Sequence, residues 1–300
     1  MNTKTTAVTY LWILLSMIFW GMSFIWTSIV FTCYPPITTI FLRLILSSVI
    51  LMGGLLLFGK IERIKKKDVG LFFLSAFFNP FLYFIGENFG LKYTSPSISA
   101  VVIATIPLFT PVAAYLIIRE RISWLNIAGI IISFLGILVM LISRDMTFSA
   151  SPKGVGFLFF AVISAVIYSS FLKKLTMRYG PFSIIAWQNL IGMLYFLPLF
   201  LILDVSEFIA IRPDWKAIAA LIQLALFAST FAYVLFTIGV KKIGVSRTNV
   251  FTNLIPIFTA VFSFFILSEN FSLQKIAGIL IVVSGVALTQ IQHWKRKTSI

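Results

Sequence analysis

One arginine and one glutamate interrupt segments otherwise built for lipid. Arg43 falls within ITTIFLRLILSSVILMGG, and Glu87 within FFNPFLYFIGENFG. A charged side chain at the centre of a membrane helix costs about 2.5–3.5 kcal/mol on insertion scales, so such a residue points to a use. Arg43 stands seven residues after Pro36, at one end of its segment. Its long stem allows the head to snorkel outward. Glu87 lies at a similar depth in the next segment, so the two can form an ion pair or share a substrate carboxylate. Asn79, Tyr83 and Glu87 recur at i, i+4 and i+8, which aligns an amide, a phenol and a carboxylate on one helix face. A titratable carboxyl at that depth is suited to coupling a proton or to pairing with a substrate cation.

Further polar groups mark the other segments. Asn249 and Asn253 precede Pro256 and Ser263, and Gln188 and Asn189 stand side by side. Gln188 follows Pro181 by seven residues, as Arg43 follows Pro36. Trp20 sits between Ser16 and Ser23, and Tyr168 between Ser164 and Ser169. The expected substrate pathway is Arg43, Asn79, Tyr83, Glu87, Trp20, Tyr168, Gln188, Asn189, Asn249 and Asn253. Interhelical hydrogen bonds that hold a bundle account for the same residues, and the sequence leaves both readings open. Catalysis has less to work with. Paired acids, a metal cluster or a nucleophile with its base are needed, yet the apolar segments hold one Glu and no Asp or His. No phosphate-binding glycine loop is present. Cys33 has no second cysteine to pair with. His293, beside Trp294 and Lys295, reads as interfacial. No enzyme, metal or cofactor is expected. The expected partners are a small-molecule substrate, the bilayer and a coupling proton.

The elements that carry these residues follow from composition. Hydrophobic residues make up 60% of the 300, mean hydropathy is +1.04 and only 11% are charged. A soluble domain has about 25% charged residues, so lipid is part of the solvent. The net charge of +15 is scattered in short clusters between apolar runs and not gathered on a polar face, which argues against nucleic acid. A spanning helix needs about 20 mostly apolar residues. Such runs fall at 10–31, 36–58, 69–91, 96–118, 124–143, 154–173, 182–203, 215–238, 247–267 and 273–292. The first is too long for a signal-peptide core and has no small-residue cleavage site, so it is read as a retained helix. Backbone groups in lipid must be satisfied within the segment, and no barrel-like alternation is present, so the spans are helical.

With the N-terminus inside, 17 Lys and Arg fall on cytoplasmic segments and six on the opposite ones, with Arg43 inside a helix. That asymmetry places both termini in the cytoplasm of a cell (plasma or inner) membrane protein.

The chain also repeats itself. Residues 88–143 align without gaps on 237–292 at an offset of 149, with 19 of 56 pairs identical. The identities include Pro107/Pro256, Thr110/Thr259, Glu120/Glu269, Ser123/Ser272, Gly129/Gly278 and Gly136/Gly285. Five spans per copy is an odd number, so the second copy enters from the other side. The cytoplasmic corner RER keeps its arginines, and its outward counterpart SEN lacks them. The expected fold is therefore all-α integral membrane: ten transmembrane helices as two inverted-topology five-helix repeats, 10–143 and 154–292. Many secondary transporters use that arrangement for alternating access. Pro107 and Pro256 are expected kinks or hinges. The paired glycines are read as helix-packing sites, and Ser123 and Ser272 as N-caps.

FWGMSF in the first helix, ENFGLKYTSPSISAVV across the third and fourth, and ERIS or ENFS before AGI resemble the EamA-type transporters of the drug/metabolite transporter superfamily. The resemblance covers nearly the whole chain. It implies two packed halves around a central cavity and movement of small metabolites, often outward, and it transfers no active-site residues. The expected function is secondary-active export of a small organic metabolite, amino acid-like or related. Alternatives are a nucleotide-sugar-type exchanger of the same superfamily, a polytopic membrane enzyme or a non-transporting assembly partner.

Overall fold

A computed structural model describes residues 3–109, 124–141, 150–270 and 272–295. These residues are all-helical. Seven helices are long and apolar enough to cross a membrane: α1 (Ala7–Val30), α2 (Pro36–Leu57), α3 (Lys66–Lys92), α6 (Pro152–Thr176), α7 (Pro181–Ala210), α8 (Trp215–Ile243) and α9 (Arg247–Leu267). Three shorter apolar helices are α4 (Pro96–Phe109), α5 (Ile127–Leu141) and α10 (Leu273–Leu288). Leu57, Ile202, Phe265 and Leu273 are each more than three-quarters exposed, an outer surface that lipid and not water would cover. The protein is a multi-pass membrane protein.

A helix falls on each of the ten expected runs, seven long and apolar enough to span and three shorter. The helix containing α1 begins at Thr3, and α7 continues to Ala210. The part of the fourth span beyond residue 109 lies outside the described residues. So do Thr110, Glu120, Ser123, the RER arginines and the side chain of His293.

Several helices are not the continuous α-helices assumed from spacing, and in α7 the stretch Phe200–Asp204 is π-type. In α3 the stretch Phe77–Leu82 is π-type, Asn79 is extended (φ −147, ψ 118), and the Asn79–Pro80 peptide is cis. Pro80 cannot donate to the ladder. In α8 the stretch Leu224–Ala232 is also π-type; at the repeat offset of 149, residues 77–82 fall on 226–231. Pro107 and Pro256 do not bend an unbroken helix either. The turn before Pro107 carries i→i+3 bonds from Thr105 N to Val102 O (3.0 Å) and from Leu108 N to Thr105 O (2.9 Å). The residues Val250–Leu254 before Pro256 are 3₁₀. Each proline therefore follows a ladder that has already changed pitch, where its missing N–H costs least.

Packing joins helices in matched sets. The α5–α10 contact is the most extensive, and α2 packs on α7. The α3–α6 contact corresponds to α1–α8, and α4–α6 to α1–α9, when five is added to a helix number. In α5–α10 the helices cross at glycine. A Cβ on Gly136 would stand 2.9 Å from Gly278 O, and one on Gly285 2.8 Å from Gly129 O. These two meetings are exchanged by the offset of 149. Between them Ser133 Oγ donates to Val282 O at 3.2 Å. Small residues are what let helix backbones approach this closely in lipid.

The α2–α7 pair is tied at both ends by carboxylates. Asp204, near the end of α7, accepts from Thr38 N (2.9 Å) and Thr38 Oγ1 (2.8 Å) in the first turn of α2. Glu62, beyond the end of α2, accepts from Gly180 N at 2.9 Å just before α7. Each helix thus carries the anion that caps the other, which requires them to run antiparallel. At the α9–α10 corner, Glu269 accepts from Ser97 Oγ of α4 at 2.8 Å and pairs with Ser263 and Lys275. Burial pushes the Glu269 carboxyl up, but hydrogen bonds from Lys275, Ser263 and Ser95 outweigh it and hold it below its ordinary range. Its partners are side chains of three segments, α4, α9 and α10. Ser272 Oγ accepts from Lys275 N at 3.2 Å, the geometry of an N-cap.

The reciprocal caps yield a stability test. Asp204→Ala strands a buried N–H and should cost about 1–3 kcal/mol. Glu62→Ala, at a solvent-exposed cap, should cost about 1 kcal/mol or less. The sites lie a helix length apart, so the double variant should lose the sum. Unfolding midpoints of the purified variants measure all three values.

Candidate functional site

A cavity at the centre of the bundle holds about 710 Å³ of unfilled space, part of it continuous with solvent. Seven helices line it: α1 with Trp20, Ser23 and Phe24; α2 with Arg43; α3 with Asn79, Tyr83, Phe84 and Glu87; α4 with Ile103 and Ile106; α6 with Tyr168; α8 with Tyr233 and Phe236; α9 with Asn249 and Thr252. Its wall is mostly apolar with a few placed polar groups, as in small-molecule pockets.

Arg43 is the fixed charge of this cavity. It does not snorkel; only 2% of the residue is exposed. Its Nε donates to Ser229 Oγ at 2.8 Å, and its guanidinium carbon lies 4.2 Å from the centre of the Phe84 ring. Ser229 is itself placed by a network. Asn189 Nδ2 donates to Ser229 O at 3.0 Å and to Ser47 Oγ at 2.6 Å, and Ser47 Oγ lies 2.8 Å from Thr230 Oγ1. Three helices therefore fix the guanidinium before anything binds, which is the preorganisation a charged site needs in lipid.

Glu87 faces Arg43 at a distance. Arg43 Nη1 and Glu87 Oε2 stand 3.9 Å apart, well beyond the 2.7–2.9 Å of a charge-assisted hydrogen bond. Tyr83 Oη donates to Glu87 Oε1 at 2.9 Å, one helical turn away as the i, i+4 spacing requires. Arg43 Nη1 has no hydrogen-bond partner among the described residues, and neither has Asn249 Nδ2. Both are buried donors with free capacity in a polar corner of the cavity.

Of the ten expected pathway residues, seven line the cavity: Arg43, Asn79, Tyr83, Glu87, Trp20, Tyr168 and Asn249. Gln188 stands one layer behind, accepting from Tyr168 Oη at 3.1 Å and donating to Ser75 Oγ at 2.6 Å. Asn189 serves the Arg43 network and does not reach the cavity. Asn253 is buried outside it, since α9 is 3₁₀ at that point and its i, i+4 stripe is broken. Ser16 and Ser164 donate to Ala232 O and Phe78 O, at 2.8 and 2.6 Å, as interhelical bonds. Both carbonyls belong to the π-type stretches, whose backbone is thus satisfied from neighbouring helices.

Residue-by-residue reading missed Ser229, Tyr233, Phe236, Phe84 and Thr252. A signal existed for two of them. Phe84 and Tyr233 occupy the same repeat position at the offset of 149, beside Tyr83 and Glu87, so the alignment itself points to a shared aromatic wall. Ser229 gives no such sign in an apolar helix.

The described bundle joins an apolar outer surface to a central cavity whose wall is mostly apolar with a few buried polar groups. The profile of the EamA-like transporter family matches the chain twice, over residues 7–142 and 152–291. The chain belongs to the EamA-like transporter family. It is similar to an uncharacterized transporter of Archaeoglobus fulgidus, 28% identical, over 92% of this chain and 96% of that one. It is also similar to the uncharacterized transporter YetK of Bacillus subtilis, 27% identical, over 84% of this chain and 77% of that one. A solved crystal structure shares the fold, with a TM-score of 0.71 at 16% identity over 95% of this chain and 99% of that one. Family and relatives indicate a membrane transporter and not an enzyme.

Asn189 offers a way to separate framework from cavity. Asn189→Ala removes two interhelical bonds and should destabilise the fold by about 0.5–2 kcal/mol. Gln188→Leu should do the same without altering the cavity's shape. Denaturant unfolding in micelles reads the loss.

Proposed function

We propose that the protein is a secondary-active exporter of the cell membrane. It moves a small organic metabolite, of amino-acid size, by alternating access between two inverted five-helix halves. The halves are 10–143 and 154–292, with both termini in the cytoplasm. The single observation that carries this reading is the composition of the cavity wall: α1, α2, α3 and α4 of the first half share it with α6, α8 and α9 of the second. A site at the interface of two halves is reached from either side when the halves rock.

Several features support it. The matched helix pairings and the exchanged glycine meetings of α5–α10 fit a two-fold relation in the membrane plane. The reciprocal caps of α2 and α7 fit it as well. The Lys and Arg asymmetry supports the orientation. Pro107 and Pro256, each at a change of helical pitch, are the proposed hinge points. Arg43, Asn79, Tyr83, Glu87, Trp20, Tyr168 and Asn249 form the proposed pathway, with Gln188, Asn189 and Asn253 as support. Glu87 is the proposed proton-coupling group, because it is the titratable carboxyl at membrane depth that touches the cavity.

The test has two parts. Culture medium from cells overproducing the protein should accumulate at least one small metabolite that medium from deleted cells lacks; no difference counts against export. In proteoliposomes, Glu87→Gln should abolish the dependence of flux on pH while leaving the protein folded. Flux that keeps its wild-type pH profile removes Glu87 from the coupling step.

A further inference from the structure

Two residues of the cavity wall, one from each half of the chain, carry a buried donor without a partner. Arg43 Nη1 comes from α2 and Asn249 Nδ2 from α9, and neither has a hydrogen-bond partner among the described residues. Arg43 is 2% exposed and Asn249 4%. A buried donor left unpaired is costly, more so when charged. Glu87 does not resolve this, because at 3.9 Å it neutralises the guanidinium without taking its hydrogen. Its oxygens are engaged by Tyr83 at 2.9 Å and by Asn88 at 3.5 Å. These two donors want acceptors, which a ligand can bring.

We infer that the ligand of this cavity is a carboxylate with an apolar body, one oxygen accepting from Arg43 Nη1 and the other from Asn249 Nδ2, in place of the long Arg43–Glu87 contact. The inference rests on reading the cavity as the transport site. A planar carboxylate presents two acceptors that a guanidinium and an amide can share. Trp20, Phe24, Phe84, Tyr233 and Phe236 surround the same space and suit an apolar body rather than a sugar or a polyphosphate. Charge balance then divides carboxylates into two kinds. A simple acid leaves Glu87 without its cation, so Glu87 takes one proton from water as the acid binds. A 2-amino acid places its ammonium on Glu87 and needs no proton. The ionisable groups that face Glu87 are Arg43 from α2, Tyr83 on its own helix and Tyr233 from α8, with Tyr168 of α6 next to Tyr233. Of these, Glu87 is the one whose charge the incoming carboxylate directly opposes.

The test uses the purified full-length protein in detergent. The probes are straight-chain and phenyl-ended acids of four to ten carbons, each with its amide, its amine and its 2-amino acid. Binding is read by titration calorimetry and by quenching of the intrinsic tryptophan fluorescence. The expected result is that acids or 2-amino acids bind at least ten-fold more tightly than the corresponding amides and amines. Arg43→Lys should weaken this binding at least ten-fold, and Asn249→Ala at least three-fold. Glu87→Gln should tighten simple acids at least three-fold but weaken 2-amino acids, a gain that misfolding cannot imitate. Calorimetry in buffers of different ionisation heat should show one proton taken up with a simple acid and none with a 2-amino acid. Acids binding no more tightly than their amides across the series, or binding unchanged in Arg43→Lys, overturns the inference. Carboxylate binding without flux in proteoliposomes upholds it and counts against transport. Flux of amines or amides without carboxylate preference overturns it and leaves transport standing.

Discussion

Inside a bilayer there is no water to complete an unfinished hydrogen bond. Every polar atom placed there must find a partner in the protein or await one from a ligand. The framework of this protein follows the first course. Ser16, Ser164, Asn189 and Thr259 donate to backbone carbonyls of other helices at 2.8, 2.6, 3.0 and 3.1 Å. Thr38 and Gly180 give their N–H groups to carboxylates on the partner helix. Five buried side-chain atoms have no partner among the described residues, Arg43 Nη1, Ser48 Oγ, Asn88 Oδ1, Asn249 Nδ2 and Asn253 Oδ1, and of these residues only Arg43 and Asn249 belong to the cavity wall.

The π-type stretches of α3 and α8 show how the same constraint shapes helices. A π-turn leaves the regular i→i+4 ladder and frees backbone carbonyls. In α3 and α8 those carbonyls receive serine hydroxyls from α6 and α1. The irregular backbone is affordable because neighbouring helices complete it. It also sets the orientation of the side chains that follow, Tyr83 and Glu87 in α3, Tyr233 and Phe236 in α8. These four supply a carboxylate, two phenols and an aromatic face to one cavity.

Much of this was legible in the sequence, for definite reasons. Hydrophobic runs of spanning length reveal membrane helices because lipid imposes a length. The rarity of charge in such runs singled out Arg43 and Glu87. What could not be read was which way a polar residue faces once the ladder changes pitch. Asn79 reached the cavity although its straight-helix argument failed at the Asn79–Pro80 bond. Asn253 was turned away by the 3₁₀ stretch before Pro256. Gln188 and Asn189 sit in an unbroken stretch of α7 and are buried, yet their partners, Ser75, Ser47 and Ser229, are distant in sequence and give no local sign. Burial was predictable from type; destination depended on neighbours.

The crossing of α5 and α10 carries a different implication. There Gly136 meets Gly278 and Gly285 meets Gly129, two contacts that the internal alignment exchanges. The seam is thus one contact made twice. A side chain added at either glycine of a pair runs into the backbone of the facing helix, so neither helix can take on bulk there without the other giving way. The cavity wall is under no such tie. Glu87 and Phe236 are equivalent positions that face a common space and not each other's backbone, so one is a carboxylate and the other an aromatic ring. The repeat keeps its symmetry along the seam and loses it at the cavity wall.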